Sequence, residues 1–103
     1  MKYIIIDPDQ GEHKKFNNVK IADFLYENLD QFGDKKEFIL KAIDYSLNPD
    51  KGGMVVLCVD NEIIFGAVVI NKTGMDGYIP ANILVYIAIH RDHRGKGIEI
   101  GRA

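Results

Sequence analysis

One uncharged run, Ile83–Ile89, constrains the fold of this chain more than any other segment. It reads Ile-Leu-Val-Tyr-Ile-Ala-Ile, and β-branched and aromatic residues of this kind are typical of a strand. The run does not alternate polar with apolar residues, so both of its faces are expected to be covered, as in the middle of a sheet packed by helices. The sequence therefore predicts a central strand here and helices around it.

The rest of the chain supplies further strands and two helices. Gly, Pro, Asp and Asn residues punctuate the apolar runs, and the Asp60-Asn61 pair predicts a tight antiparallel hairpin. The predicted class is α+β with a mainly antiparallel sheet, in the order β-α-α-β-β-β followed by a glycine-rich loop and the start of a helix. The predicted strands are residues 2–7, 54–60, 62–71 and 82–90, and the predicted helices are residues 18–32 and 35–47.

Each predicted helix has an apolar stripe at spacings of three and four residues. Asp34 is the expected N-cap of the second helix, with Glu37 completing a capping-box pair. The stripe residues that we expect to face the core are Val19, Ala22, Leu25, Leu29 and Phe32 in the first helix and Phe38, Ala42 and Tyr45 in the second.

Composition limits the possible functions. A chain of 103 residues with 47% hydrophobic content predicts a single domain, and a formal net charge of -2 provides no global field for nucleic acid or acidic membranes. The single cysteine, Cys58, lies in an apolar run, which predicts a buried thiol and a reducing, cytoplasmic location. The apolar stretch at the N-terminus is too short for a signal peptide or a membrane span.

The chemistry-bearing segment follows the strongest strand directly and reads His-Arg-Asp-His-Arg-Gly-Lys-Gly-Ile from His90 to Ile98. Gly95 and Gly97 permit a tight turn that points amides inward, and Arg94 and Lys96 add positive charge. Such a loop suits a diphosphate at the start of a helix. The alternative is a solvated basic turn. The spacing matches neither a P-loop nor a dinucleotide fingerprint.

An apolar strand, a short turn and Arg94-Gly95-Lys96-Gly97 opening a helix resemble the signature of the GNAT superfamily of acyl-CoA N-acyltransferases. The element order also resembles that family, so the resemblance covers essentially the whole chain. It implies a single GNAT-like domain over residues 1–103 whose C-terminal half is missing. The chain departs from the pattern at Glu99, where the family has Gly or Ala.

The resemblance implies acetyl-CoA as cosubstrate, with loop amides on the CoA diphosphate and strand backbone on the pantetheine arm. It also implies an acceptor pocket shaped by the helical region, with Phe24, Tyr26 and Tyr45 as candidate lining residues. The cofactor-binding residues that it implies are Ile87, Ala88, Ile89, Arg94, Gly95, Lys96, Gly97 and Ile98.

Few residues are suited to catalysis of acyl transfer. Many relatives carry Glu near the positions of Ile83 and Val85, so a conventional carboxylate base is absent from this strand, and Tyr86 is its central titratable side chain. Tyr86 is the candidate catalytic residue, with a packing role as the alternative. His90 and His93 lack the further ligands that a zinc site needs, so no metal is expected.

Three functions compete on this evidence. The leading one is an N-acetyltransferase that moves an acetyl group from acetyl-CoA to a small-molecule or peptide amine. A non-catalytic remnant that binds CoA or self-associates is the second. Independently of the function, we expect a homodimer through the strand at 82–90 or the following helix. A nucleic-acid binder is disfavoured because the rest of the chain is acidic, although four basic residues cluster late in the sequence: Arg91, Arg94, Lys96 and Arg102.

Overall fold

The fold consists of a four-stranded antiparallel sheet and two helices. The computed structural model describes residues 2–29, 35–73 and 82–90. Neighbouring strands are all antiparallel, in the spatial order β1-β2-β3-β4. The predicted α+β class and element order are confirmed for the described residues, and the predicted start of a helix after β4 lies outside them. The elements are β1 (Lys2–Ile6), α1 (Asn18–Asn28), α2 (Lys36–Ser46), β2 (Gly53–Asp60), β3 (Ile63–Lys72) and β4 (Asn82–Ile89).

The predicted hairpin joins β2 to β3. Asp60 pairs with Ile63, so Asn61 and Glu62 form the turn, one residue later than the predicted Asp60-Asn61 pair. Asn61 has a φ of 55°, a left-handed conformation that Asn tolerates better than most residues. Turn chemistry therefore explains why the chain reverses here.

Both helices pack on the same face of the sheet, which we term the helix face. The main core lies in this layer, and side chains of all four strands reach it. Alternation along the strands directs the other side chains to the second face. The core residues include Ile21, Leu25, Ile39 and Ile43 from the helices and Ile6, Leu57, Val69 and Tyr86 from the strands.

Helix α1 has the predicted start but turns a different set of residues inward. Asn17 caps it, because its side chain accepts a hydrogen bond from the Lys20 amide. The helix ends at Asn28, earlier than predicted, and residues 30–34 lie outside the described residues. Of the expected stripe, Ala22 and Leu25 are buried and Leu29 is partly buried against the core, whereas Val19 is exposed and Phe32 lies outside the described residues. The buried residues of α1 are Ile21, Ala22, Phe24, Leu25 and Asn28.

The stripe predicted for α2 was wrong by one position, although Ala42 of that stripe is partly buried against the core. The helix buries Ile39, Ile43 and Ser46 instead, and Phe38 is 44% exposed. The sequence contains two adjacent stripes with helical spacing, and packing against the sheet selects the one that carries two isoleucines. The N-cap is Lys35, without a side-chain cap bond, rather than the expected Asp34.

Two register shifts break the regular alternation of the sheet. One extra residue, Phe65, is inserted in β3 where Val59 pairs with Ile64 and Cys58 with Gly66. A bulge adds a residue to one strand and redirects the neighbouring side chains. The second shift, in β4, is described with the candidate site below.

Gly53 occupies the point where the start of β2, the end of α2 and the end of β3 meet. Its φ is 148°, and a Cβ atom there would overlap the Ile70 carbonyl oxygen and approach the Ser46 Cα atom to 3.0 Å. The buried Ser46 hydroxyl lies 2.8 Å from the same Ile70 oxygen and 2.5 Å from Oδ1 of Asn71. Glycine is required here because the backbones approach too closely for a side chain.

Replacing Gly53 with Ala is expected to lower the free energy of unfolding by on the order of 2–4 kcal/mol, since it adds both overlap and backbone strain. Gly11→Ala is the matched control. Gly11 also has a positive φ, 69°, but its Cβ would meet nothing within 4 Å, so we expect a loss of only about 1 kcal/mol. Urea denaturation of the two variants measures the difference, and equal losses would contradict this account of the junction.

An ion pair links the two helices on their solvent side. Lys36 Nζ lies 2.8 Å from Asp23 Oδ1 and 5.2 Å from the centre of the Tyr26 ring. The hydrogen bond to Asp23, and then the charge of that carboxylate, raises the pKa of Lys36 above its usual 10.5. Because the pKa of Lys36 is higher in the folded state than in the unfolded state, the ion pair stabilises the fold in full at neutral pH. This contribution is lost as the pH rises through the folded-state pKa.

Asp23→Asn should therefore lower the pKa of Lys36 towards its ordinary value, because it removes the two largest causes of the shift. NMR titration of the Lys36 side chain measures this pKa. Glu27→Gln is the matched control, since Glu27 contributes least among the causes and its loss should produce a smaller fall. A larger effect of the Glu27 variant would show that the ion pair is not the main cause.

Candidate functional site

The end of β4 is the part of the sheet that leads to the predicted anion loop. The His90 amide donates a 2.7 Å hydrogen bond to the Phe65 carbonyl of β3, and Ile89 pairs with Gly66. In an antiparallel ladder, this bond makes Ile89 and Ile87 non-hydrogen-bonded positions towards β3, so their backbone N–H and C=O groups face the other edge. Among the described strands, none pairs with that edge, so β4 is the last strand of the described sheet and not the central strand that its sequence predicts.

The structure brings three of the predicted cofactor-binding residues to this edge. Ile87 and Ile89 direct backbone groups along it, whereas Ala88 pairs with Ala67 and places its side chain in the main core. Backbone groups therefore alternate along this part of β4: those of Ile87 and Ile89 face the edge, and those of Ala88 face β3. The remaining predicted cofactor-binding residues lie outside the described residues: Arg94, Gly95, Lys96, Gly97 and Ile98.

Tyr86, the candidate catalytic residue, lies in the core on the helix face. It is 9% exposed and pairs with Val69 of β3. The next pair is Leu84 with Ile70, so Val85 is an extra residue in β4, and this second bulge turns both Val85 and Tyr86 towards the core. The position satisfies the packing role directly, and the catalytic role stays a prediction.

His90, directly after β4, packs in a cluster of aromatic side chains. The His90 ring centre lies 6.4 Å from that of Phe24 on α1 and 6.3 Å from that of Phe65 on β3. The cluster joins the helix layer to the point where β4 ends. No local pattern predicts this cluster, because Phe65 is the extra residue at the register shift in β3 and meets His90 only through the pairing of β3 with β4.

The other candidate pocket residues are not brought together with Phe24. Tyr26 is exposed on α1, under the Lys36 ammonium group. The Tyr45 hydroxyl donates a 2.8 Å hydrogen bond to the carbonyl of Lys72, at the far end of β3. The described residues therefore do not assemble these three side chains into one acceptor pocket.

Cys58 is the thiol of the second face. It is buried, as predicted, and free. Burial, the largest cause, raises the pKa of the thiol, so its reactive thiolate form is disfavoured. This position suits a packing residue better than a nucleophile.

The described residues form neither a metal-binding cluster nor a membrane-spanning helix. No group of three or more His, Cys, Asp or Glu side chains there could hold a metal ion. Neither described helix is long and apolar enough to cross a membrane.

Comparison of the chain with models of known protein families, with curated proteins and with solved structures finds no match. The resemblance to GNAT enzymes therefore depends on the motif and on the order of the elements. It does not depend on a measured similarity to a particular protein.

Proposed function

We propose that this chain binds acetyl-CoA and transfers its acetyl group to an amine, as a GNAT-type N-acetyltransferase. One observation carries the proposal: the backbone groups of Ile87 face the outer edge of β4, the strand that precedes Arg94-Gly95-Lys96-Gly97 in the sequence. A diphosphate on the loop amides would leave the amide-rich pantetheine arm beside this edge. The bulge at Val85 supports the proposal further, because bulges commonly interrupt strand pairing near functional sites.

The reaction that we propose requires a free amine and a protonated leaving group. An ammonium group loses one proton, its nitrogen attacks the thioester carbonyl, and the tetrahedral intermediate expels CoA as a thiolate. The second nitrogen proton reaches that thiolate directly or by relay through a hydroxyl such as that of Tyr86, which gives an amide, CoA and one released proton. Since β4 carries no carboxylate, the first proton would leave through another residue or through water. The proposed acceptor is a small-molecule or peptide amine, and the proposed location is the cytoplasm.

Acetyl-CoA binding is the first test. Isothermal titration should give saturable binding for the wild-type chain, and Gly97→Val should weaken it roughly tenfold or more, because a β-branched side chain obstructs the approach of the diphosphate to the backbone. Lys96→Gln should weaken it by a similar factor through the loss of a charge-assisted contact. Lys14→Gln, which neutralises an exposed lysine elsewhere, is the control and should bind normally. Unchanged binding by the Gly97 variant would place the anion site elsewhere.

The role of Tyr86 is tested by separating its hydroxyl from its ring. If the hydroxyl protonates the departing thiolate, Tyr86→Phe should lower kcat on the order of a hundredfold and leave the KM for acetyl-CoA nearly unchanged. Tyr3→Phe is the control, because Tyr3 is 69% exposed on β1. A Tyr86 variant with the wild-type rate would assign this residue to packing alone.

A non-catalytic CoA-binding or self-associating module is the second candidate function. The burial of Tyr86 and the uncharged sequence of β4 favour it. Two measurements separate the candidates: only the enzyme consumes the thioester in the presence of a panel of primary amines, whereas a CoA-binding module binds acetyl-CoA saturably without consuming it. Absence of binding at millimolar acetyl-CoA would count against the enzyme and favour a module that only self-associates.

We further propose that β4 pairs with a second copy of the chain. Its eight residues carry no charge, and natural edge strands are commonly protected by charged residues or prolines. By contrast β1, at the other end of the sheet, has five residues and begins with Lys2. The Val85 bulge restricts regular pairing to one side of it, which favours a short ladder around Ile87.

Sedimentation equilibrium at micromolar concentration should then show a homodimer. Leu84→Lys adds a charge to a half-exposed position of β4 and should shift the chain towards monomer. Met54→Lys is the matched control on the same face but on the inner strand β2, and it should leave the dimer intact. A wild-type chain that sediments as a monomer would contradict the proposed pairing.

A further inference from the structure

The segment before α1 is held by a histidine whose Nδ1 atom accepts two hydrogen bonds. Nδ1 of His13 accepts from the backbone amides of Lys15, at 3.1 Å, and Phe16, at 3.0 Å. A ring nitrogen that accepts carries no proton, so the neutral ring has its proton on Nε2. The side chain thus caps a short turn in the way that Asn or Asp does elsewhere.

This turn anchors both the core and the start of α1. Phe16 is 4% exposed, belongs to the main core, and has its ring centre 5.6 Å from that of His13. Next along the chain, Asn17 caps α1, and the Glu12 carboxylate accepts from the Asn18 amide at 2.9 Å. Any change in the turn is therefore transmitted to a buried ring and to a helix N-terminus.

We propose that His13 is a proton-sensitive latch on the N-terminus of α1. Protonation of the imidazole puts a hydrogen on Nδ1, and that N–H then faces two N–H donors in place of an acceptor. Both hydrogen bonds are lost, and the turn that holds Phe16 in the core loosens. The inference is independent of the proposed acetyl transfer, since it uses no residue of β4 or of the anion loop.

Several charged side chains lie near His13 or contact its segment. Lys15 Nζ lies 3.2 Å from Glu62 on the β2–β3 turn, and Lys20 Nζ donates to the Lys15 carbonyl at 2.9 Å. These contacts do not involve the imidazole, so they persist when His13 is protonated and limit the opening to the turn itself. The charged residues that adjoin His13 or contact its segment are Glu12, Lys14, Lys15, Lys20, Asp44 and Glu62.

The test compares the full chain with two variants at about pH 8 and about pH 5. His13→Asn keeps an acceptor oxygen near the Nδ1 position at both pH values, and His13→Ala removes it at both. In the wild-type chain, hydrogen-exchange protection of the Phe16 amide, corrected for intrinsic rates, should fall roughly two- to tenfold at the lower pH. Protection in His13→Asn should stay constant, and His13→Ala should be low throughout.

Nitrogen-15 NMR of the imidazole in the folded chain provides a second measurement. At the higher pH, His13 of the wild-type chain should have its proton on Nε2. A proton on Nδ1 at that pH would overturn the proposal. An equal pH dependence of Phe16 protection in the wild type and in His13→Asn would overturn it as well, and this comparison stands even if His13→Ala fails to fold.

Discussion

The packing of both helices on one face of the sheet is the constraint on which the rest of the structure depends. Burial of apolar surface is the main source of stability for a domain of this size, and α1 and α2 concentrate it in one layer with the strands. This layer closes around the fully buried Ile39 and Ile43 of α2 and around Leu57 of β2. The connection that makes it possible is the return of the chain from α2 into β2 through Gly53.

That return brings three backbones to one point. The Ser46 hydroxyl at the end of α2 satisfies the Ile70 carbonyl, and the absent side chain of Gly53 leaves room for the strand to pass. A buried hydroxyl is costly unless it is hydrogen-bonded, so Ser46 is tolerated in the core because of its partners. The junction therefore sets where β2 begins and, through the pairing of Gly53 with Asn71, the register of the hairpin.

The two register shifts connect this scaffold to the candidate site. In β3 the extra residue Phe65 meets His90, and in β4 the extra residue Val85 joins Tyr86 in facing the helices. Beyond the second shift, alternation resumes and directs the backbone groups of Ile87 to the edge of the described sheet. The proposed pantetheine contact thus depends on a local irregularity that a regular strand would not provide.

The sequence by itself determined the kind and order of the elements. Each strand is rich in apolar and β-branched residues, Asn17 and the residues after it start a helix, and the turn near Asn61 has a residue that accepts a left-handed backbone conformation. All of these are local properties. The glycine-rich motif after β4 is equally local, which is why it alone indicates an anion site.

Only the tertiary structure decided which helix faces are buried, which strand residues share a face, and where His90 lies. In α2 the stripes of Phe38 and of Ile39 are both compatible with helical spacing, and contact with the sheet selects the second. A one-residue insertion reverses the facing of a strand without leaving any mark on its composition, as at Val85. Pairing between distant segments controls these choices, so no local pattern could have revealed them.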